Sequence, residues 1–230
     1  MLTLLTATGM RQKAWDTCQH LMMRQTYAGD VHWIIVDDGA DKQKISFDRL
    51  NWGLTVVRPT KLWKPGNNSQ CSNLLAGLNV VCPDDRLVII EDDDYYSSEY
   101  LSSIDEWLNG ADLVGESHAK YYNVKSKVYA DLKNENHASL CSTAMKGEAI
   151  DFFIEVVKQQ SMQAKPFIDL SLWKRFEGSK SLHNAGLVVG IKGLPGRPGI
   201  GAGHRMNGSQ DLSLEKAKEW LGNDWGLYFE

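Results

Sequence analysis

The chain has 230 residues, 43% of them apolar and 23% charged, with a net charge of −4. That much apolar side chain supports a sizeable core and excludes disorder as the main state, and the acidic balance excludes a chain dominated by nucleic-acid binding, which is usually basic. No apolar run is long enough to span a membrane. The first residues, Met1 to Met10, lack the basic start and longer apolar stretch of a signal peptide and read instead as a first strand. Cys18, Cys71, Cys82 and Cys141 form no C-x-x-C pair. Buried free thiols in a reducing cytoplasm are therefore expected, rather than a zinc site or disulfide framework.

In chain order, Leu2 to Thr6 is a short strand, and Arg11 to Gln25 is a helix with Trp15, Cys18 and Met22 on one face. Val31 to Val36 is a buried strand ending in Asp37-Asp38-Gly39. Leu54 to Val57 is a strand closed by Pro59, and Ser72 to Val80 is a helix. Leu87 to Ile90 is a fourth strand that runs into Glu91-Asp92-Asp93-Asp94. Tyr100, Leu101, Ile104, Trp107 and Leu108 then form a helical stripe stopped by Asn109-Gly110. The second half is less regular. Asp112 to Tyr129 suggests strands, including an antiparallel hairpin, and Ala138 to Met145 a further one. Helices are expected around Ala149 to Val157, Leu170 to Phe176 and Ser213 to Leu221. Leu187 to Ile191 is strand-like, and 193–208 is a Gly- and Pro-rich loop.

Strand and helix alternating in this way predict an α/β fold whose mostly parallel sheet is covered by helices on both faces. The expected organisation is one domain over 1–230, with residues 1–110 and 111–230 as its two halves. In such sheets ligands bind beyond the carboxyl ends of the strands, and both acidic clusters lie there. Four consecutive acids repel one another, and a divalent cation held by oxygen ligands, Mg²⁺ or Mn²⁺, would relieve that and clamp a diphosphate. The plain alternative is a solvated acidic turn. Asp37-Asp38-Gly39 alone is a turn signal, although a carboxylate there can accept hydrogen bonds from a nucleobase or ribose.

The two acidic sites in this order resemble the GT-A glycosyltransferases, especially the family 2-like group. That group carries a strand ending in Asp-Asp-Gly and, later, a D-x-D motif at a strand end. The resemblance covers roughly residues 1–110 and implies a GT-A fold, a nucleotide-sugar donor such as a UDP-sugar, and transfer to a hydroxyl acceptor. It implies that Asp37 or Asp38 contacts the base, that Asp92 contacts ribose, and that Asp93 and Asp94 hold the metal. The register stays open between Glu91 with Asp93 and Asp92 with Asp94. Thr6, Thr8 and Arg11 fall where the family's first loop meets the nucleotide. His204 stands where several GT-A enzymes place a late histidine ligand. Asp169, in Phe167-Ile168-Asp169-Leu170, falls where the family's catalytic base stands, which implies inversion at the anomeric carbon. Ile168 replaces the glutamate usual before that base, and a helix N-cap explains Asp169 equally well.

The loop 193–208 reads as a lid, with Arg197 or Arg205 pairing with phosphate. His118, Tyr121, Tyr122, His137 and Trp173 are candidates for the acceptor side. Lys120, Lys125, Lys127 and Lys133 read as a solvated face, or as a footprint for a nucleic-acid acceptor. The acceptor class stays open among a glycan, a small molecule, a protein and a hydroxylated nucleic-acid base. Two other functions remain: a nucleotidyltransferase, although Thr6 to Arg11 has one Gly and one Arg where a Gly-rich phosphate loop would stand, and a non-catalytic sugar- or nucleic-acid-binding module.

Overall fold

A computed structural model describes residues 1–163, 166–197 and 207–229. Four parallel strands form its core: β1 (Leu2–Thr8), β2 (Val31–Asp37), β3 (Trp52–Val57) and β4 (Arg86–Ile89). They lie in the order β4-β1-β2-β3, with Leu2 opposite both Val31 and Arg86. The apolar side chains alternate between faces, as strand geometry requires. Leu2, Leu4, Trp33, Ile35 and Val88 join one apolar cluster, and Leu5, Ile34, Val36, Leu87 and Ile89 join the other.

The first cluster is closed by α1 (Gln12–Met23) and α3 (Tyr100–Gly110). Its centre is aromatic, with Trp33 5.2 Å from Trp15 and 5.0 Å from Phe47 between ring centroids. The second cluster is closed by α2 (Gln70–Leu78), α4 (Glu148–Gln160) and α5 (Ile168–Arg175). Gly77 lets α2 approach closely: a Cβ there would lie 2.2 Å from Leu5 Cδ1. Cys18, Cys71 and Cys141 are buried free thiols, whereas Cys82 is exposed. Among the described residues, no helix is long and apolar enough to cross a membrane.

The second half has the expected helices, at Glu148–Gln160, Ile168–Arg175 and Glu215–Leu221, and the expected strand at Val188–Lys192, but its strands pair differently. β6 (Leu113–Glu116), β9 (Thr143–Lys146) and β10 (Lys180–His183) extend the main sheet in the order β10-β6-β9-β4, with β9 antiparallel to both neighbours. The hairpin expected within 112–129 is therefore divided. β6 stays in the main sheet, and only β7 (Lys120–Asn123) and β8 (Val128–Asp131) pair as a hairpin, in a second sheet. That sheet runs β12-β8-β7-β11-β5, with β5 (Tyr95–Tyr96), β11 (Val188–Lys192) and β12 (Ser209–Gln210). Two of these strands, β5 and β12, have two residues each, too short for a periodic signal. The chain closes with α6 (Glu215–Leu221) and α7 (Gly226–Phe229).

Candidate active site

The parallel register brings the carboxyl ends of β1, β2 and β4 together. Thr8 pairs with Asp37, Leu5 pairs with Ile89, and Ile90 N donates to Leu5 O at 3.0 Å. The segment 91–94 therefore leaves the sheet beside the turn that follows β1. Gly9 permits that turn: its φ is +146°, and a Cβ would stand 2.3 Å from Asp38 Oδ1.

Within 91–94 the carboxylates split into two sets. Glu91, Asp92 and Asp93 line a cavity of about 590 Å³, which Thr8, Arg11, Lys192 and Arg197 also line. Thr8 Oγ1 donates to Asp92 Oδ2 at 2.7 Å, and the Arg11 guanidinium spans Asp92 (2.9 Å) and Asp93 (2.5 Å). Burial pushes the Asp92 carboxyl up to about 6, against the pull of Arg11. Asp94 is wholly buried behind this set and accepts from Ile191 N at 2.7 Å and Lys192 Nζ at 3.0 Å. Burial raises the Asp94 carboxyl, and Lys192 opposes that rise. Burial alone would lower the Lys192 ammonium, but Asp93 and Asp94 hold it well above its ordinary value. Arg11 and Lys192 thus supply part of the neutralisation that the sequence alone assigns to a cation.

Asp37 and Asp38 do not line the cavity. The Asp37 carboxylate accepts from Gly39 N at 3.0 Å and Gln43 N at 2.9 Å, and pairs with Arg58 at 2.7 Å. Asp38 is fully buried, with Ser69, Asn73 (2.7 Å) and Arg197 (2.6 Å) around it. Arg197 stands between Asp38 and the cavity, with its guanidinium 4.7 Å from the Trp63 ring centroid and its amide on Met10 O at 3.2 Å. Thr6 faces the core, where the Trp33 indole donates to its hydroxyl at 2.9 Å. His204 and Arg205, with most of the expected lid, lie outside the described residues.

Asp169 lines the same cavity from the start of α5. The residue preceding that helix is Phe167, so Asp169 sits inside the first turn rather than at the cap, accepting from Leu170 N at 2.8 Å. Tyr121 and His137 also line the cavity, and the Tyr121 hydroxyl is 2.7 Å from Ser139 Oγ. Trp173 and Tyr122 are buried core residues, bonded to Thr143 (3.1 Å) and Asp211 (3.0 Å). His118 sits outside the cavity, 3.7 Å from Glu135.

Sequence reasoning missed Lys192, Gln70 and Asn73, which all line the cavity. Lys192 carried a readable signal: like the acids, it directly follows an apolar strand and precedes a glycine. Gln70 and Asn73 sit on the first turns of α2, where amides carry no such mark. Glu91, Asp94 and Cys141 offer ligand atoms within 4.8 Å of one another. The carboxylate oxygens of this group suit a hard divalent cation, whereas burial keeps the Cys141 thiol far above its ordinary pKa and hence protonated.

No protein-family model matches the sequence, and no curated protein matches it. Among solved structures, the chain is similar to S. aureus TarS at a TM-score of 0.55 and 10% identity, over 83% of this chain and 36% of that one. It is similar to S. aureus TarS 1–349 in complex with UDP-GlcNAc at 0.53 and 10% identity, over 98% of this chain and 73% of that one. It is also similar to the mannosyltransferase PcManGT from Pyrobaculum calidifontis, in complex with GDP-Man and Mn²⁺, at 0.50 and 12% identity, over 84% and 57%. The chain thus spans about a third of the length of the TarS structure it matches over 83% of its own. These likenesses show the fold, which is the GT-A fold of glycosyltransferases.

Proposed function

We propose that the protein is a glycosyltransferase that moves a sugar from a nucleotide-sugar, with a UDP-sugar as working donor, to a hydroxyl acceptor with inversion. One observation carries this reading. A single cavity joins Asp92 and Asp93, after β4, to Asp169 on α5, although more than seventy residues separate them. In support, one structure of the same fold is a complex with UDP-GlcNAc and another a complex with GDP-Man and Mn²⁺.

In this reading Asp92, fixed by Thr8 and Arg11, accepts from the ribose hydroxyls. Arg197 and Lys192 present positive charge to the diphosphate. Asp93 and Glu91 are the cavity-facing carboxylates that would hold Mn²⁺ or Mg²⁺, with Asp94 behind Glu91 and His204 as a further ligand. The ion, when bound, would stabilise charge on the departing nucleoside diphosphate. Asp169 takes the proton from the acceptor hydroxyl as its oxygen bonds to the anomeric carbon and the bond from that carbon to phosphate breaks. A positioned base of this kind contributes ~10²–10⁴-fold. Asp37 and Asp38 reach the nucleotide only indirectly, by shaping the turns around Gly39 and Arg197.

A second reading has its own observation. Arg11 and Lys192 already pair with all three aspartates of the cluster, so a diphosphate could be held without a divalent ion. Release of UDP from UDP-sugars, measured with Mn²⁺ and with EDTA, separates the two. Asp169→Asn is expected to abolish transfer while leaving UDP binding unchanged. Transfer by Asp169→Asn at the parent rate would remove the base assignment, and a nucleotide-sugar that is neither bound nor consumed would remove the function.

A further inference from the structure

The acidic turn 91–94 is held at each end by a buried tyrosine hydroxyl. Glu91 N donates to Tyr96 Oη at 2.8 Å, and the Tyr228 hydroxyl donates to Asp94 O at 3.2 Å. Tyr96 is 1% exposed and Tyr228 5%. Neither lines the cavity that Glu91, Asp92 and Asp93 line. Each ring is fixed by its own surroundings. Tyr96 lies opposite Val188 in the pairing of β5 with β11, with the Tyr100 ring centroid 5.1 Å away. Tyr228 belongs to α7, which is seated by Phe229 against Tyr122 at 5.8 Å. Burial pushes both hydroxyls well above their ordinary pKa, and Asp94 adds to the rise, so both keep their protons.

A buried tyrosine hydroxyl needs a partner somewhere, and one such bond calls for no further account. Here two of them, 132 residues apart in sequence, end on the same four-residue turn. The carboxylates of that turn are held largely by side-chain cations. Arg11 spans Asp92 and Asp93, and Lys192 reaches Asp94. A diphosphate in the cavity competes for those cations, and a divalent ion competes for those carboxylates. The bonds to Glu91 N and Asp94 O are backbone bonds outside the cavity lining and are not open to that competition. Neighbouring acids repel one another, so a turn held only through exchangeable pairs would splay as the pairs were given up.

From this we infer that Tyr96 and Tyr228 are positioning residues of the donor site: their hydroxyls fix the backbone of the acidic turn while Arg11 and Lys192 redistribute toward a bound nucleoside diphosphate. The inference rests on the donor-site reading and adds two residues to it, one of them on α7. Removing partners that orient a ligand-holding group in this way typically costs ~10–100-fold in affinity or activity.

The test compares the parent chain with Tyr96→Phe, Tyr228→Phe and the double variant. Phenylalanine keeps each ring and removes only the hydroxyl. Tyr122→Phe is the control, because that buried hydroxyl bonds Asp211 at 3.0 Å rather than the turn. Each single variant is expected to lower the melting temperature by roughly 1–6 °C, the size of one lost hydrogen bond. Calorimetric titration with UDP and Mn²⁺ should show affinity ~10-fold or more weaker in the double variant, with Tyr122→Phe at the parent value. Hydrogen exchange needs no ligand, and the Glu91 amide should exchange at least ~10-fold faster in Tyr96→Phe. Parent affinity in the double variant, an equal weakening in Tyr122→Phe, or unchanged exchange at Glu91 would each overturn the positioning role. A parent chain that binds no UDP would instead overturn the donor-site reading, and exchange at Glu91 would still decide whether the Tyr96 hydroxyl holds the turn.

Discussion

Replacing Lys192 by methionine keeps the stem of the side chain and deletes its charge. Asp94, wholly buried, then keeps the Ile191 amide at 2.7 Å but loses the ammonium at 3.0 Å. Asp93 loses a cation 4.0 Å away and keeps Arg11. Removing one partner of a buried ion pair costs ~3–5 kcal/mol, because the remaining charge is stranded. Asp94 can relieve part of that by taking a proton, since burial already raises its pKa, so the low end, about 3 kcal/mol, is expected. In a chain of this size each kcal/mol lowers the melting temperature by roughly 2–4 °C, which gives a drop of roughly 6–12 °C. Urea unfolding at neutral pH measures the loss directly. Adding Asp94→Asn should recover at least half of it, so that the two changes are non-additive. Because the pair is buried, added salt should alter the result little. Lys192→Met within ~0.5 kcal/mol of the parent, or additive losses in the double variant, would refute the claim that this pair neutralises the strand end.

Glu116 is buried and accepts from Leu187 N at 2.8 Å and Val188 N at 3.1 Å, and burial pushes its carboxyl up to about 7 despite those bonds. Between pH ~4.5 and ~7 the folded state therefore holds more protons than the unfolded chain, so stability falls as pH rises through that window, by about 3 kcal/mol at most. Unfolding at pH values on either side should show this slope, and Glu116→Gln should flatten it; an unchanged slope in the variant assigns it elsewhere. Gly9→Ala places a Cβ 2.3 Å from Asp38 Oδ1 and 2.6 Å from Gly39 N at a positive φ. A loss of about 2 kcal/mol and a smaller UDP-induced shift are expected, and a calorimetric trace matching the parent would show that the turn tolerates a side chain.

The first half of the fold was legible because its physics is local. Val31 to Val36 is apolar but for His32, Leu87 to Ile90 is apolar throughout, as suits strands covered on both faces, and each run ends in consecutive acids. The structure moves those elements by only a residue or two. The second half depends on pairing between distant segments. Leu113–Glu116 and Lys120–Asn123 are near neighbours in sequence but join different sheets, and no periodicity encodes that choice. The site shows the same contrast. Asp92 and Asp93, singled out by type and position, line the cavity, whereas Asp94 is buried and paired with Lys192 on β11, 98 residues away. Asp37 or Asp38 was expected at the base and Arg197 or Arg205 at phosphate, and the pairing of Asp38 with Arg197, 159 residues on, is written in neither segment.

The most direct test of the donor site is the melting temperature of the parent protein and of Asp93→Asn with UDP, GDP, CMP and TDP, each with Mn²⁺ or with EDTA. A ligand at a hundred times its dissociation constant stabilises the native state by about 2.7 kcal/mol, or roughly 5–11 °C for a chain of this size. The expected result is a shift of that order with UDP and Mn²⁺ that collapses in EDTA and in Asp93→Asn. A UDP shift that persists in EDTA and disappears in Arg11→Gln would replace the metal with the protein's own cations. No shift with any of the nucleotides, with or without metal, would contradict the nucleotide-sugar site itself.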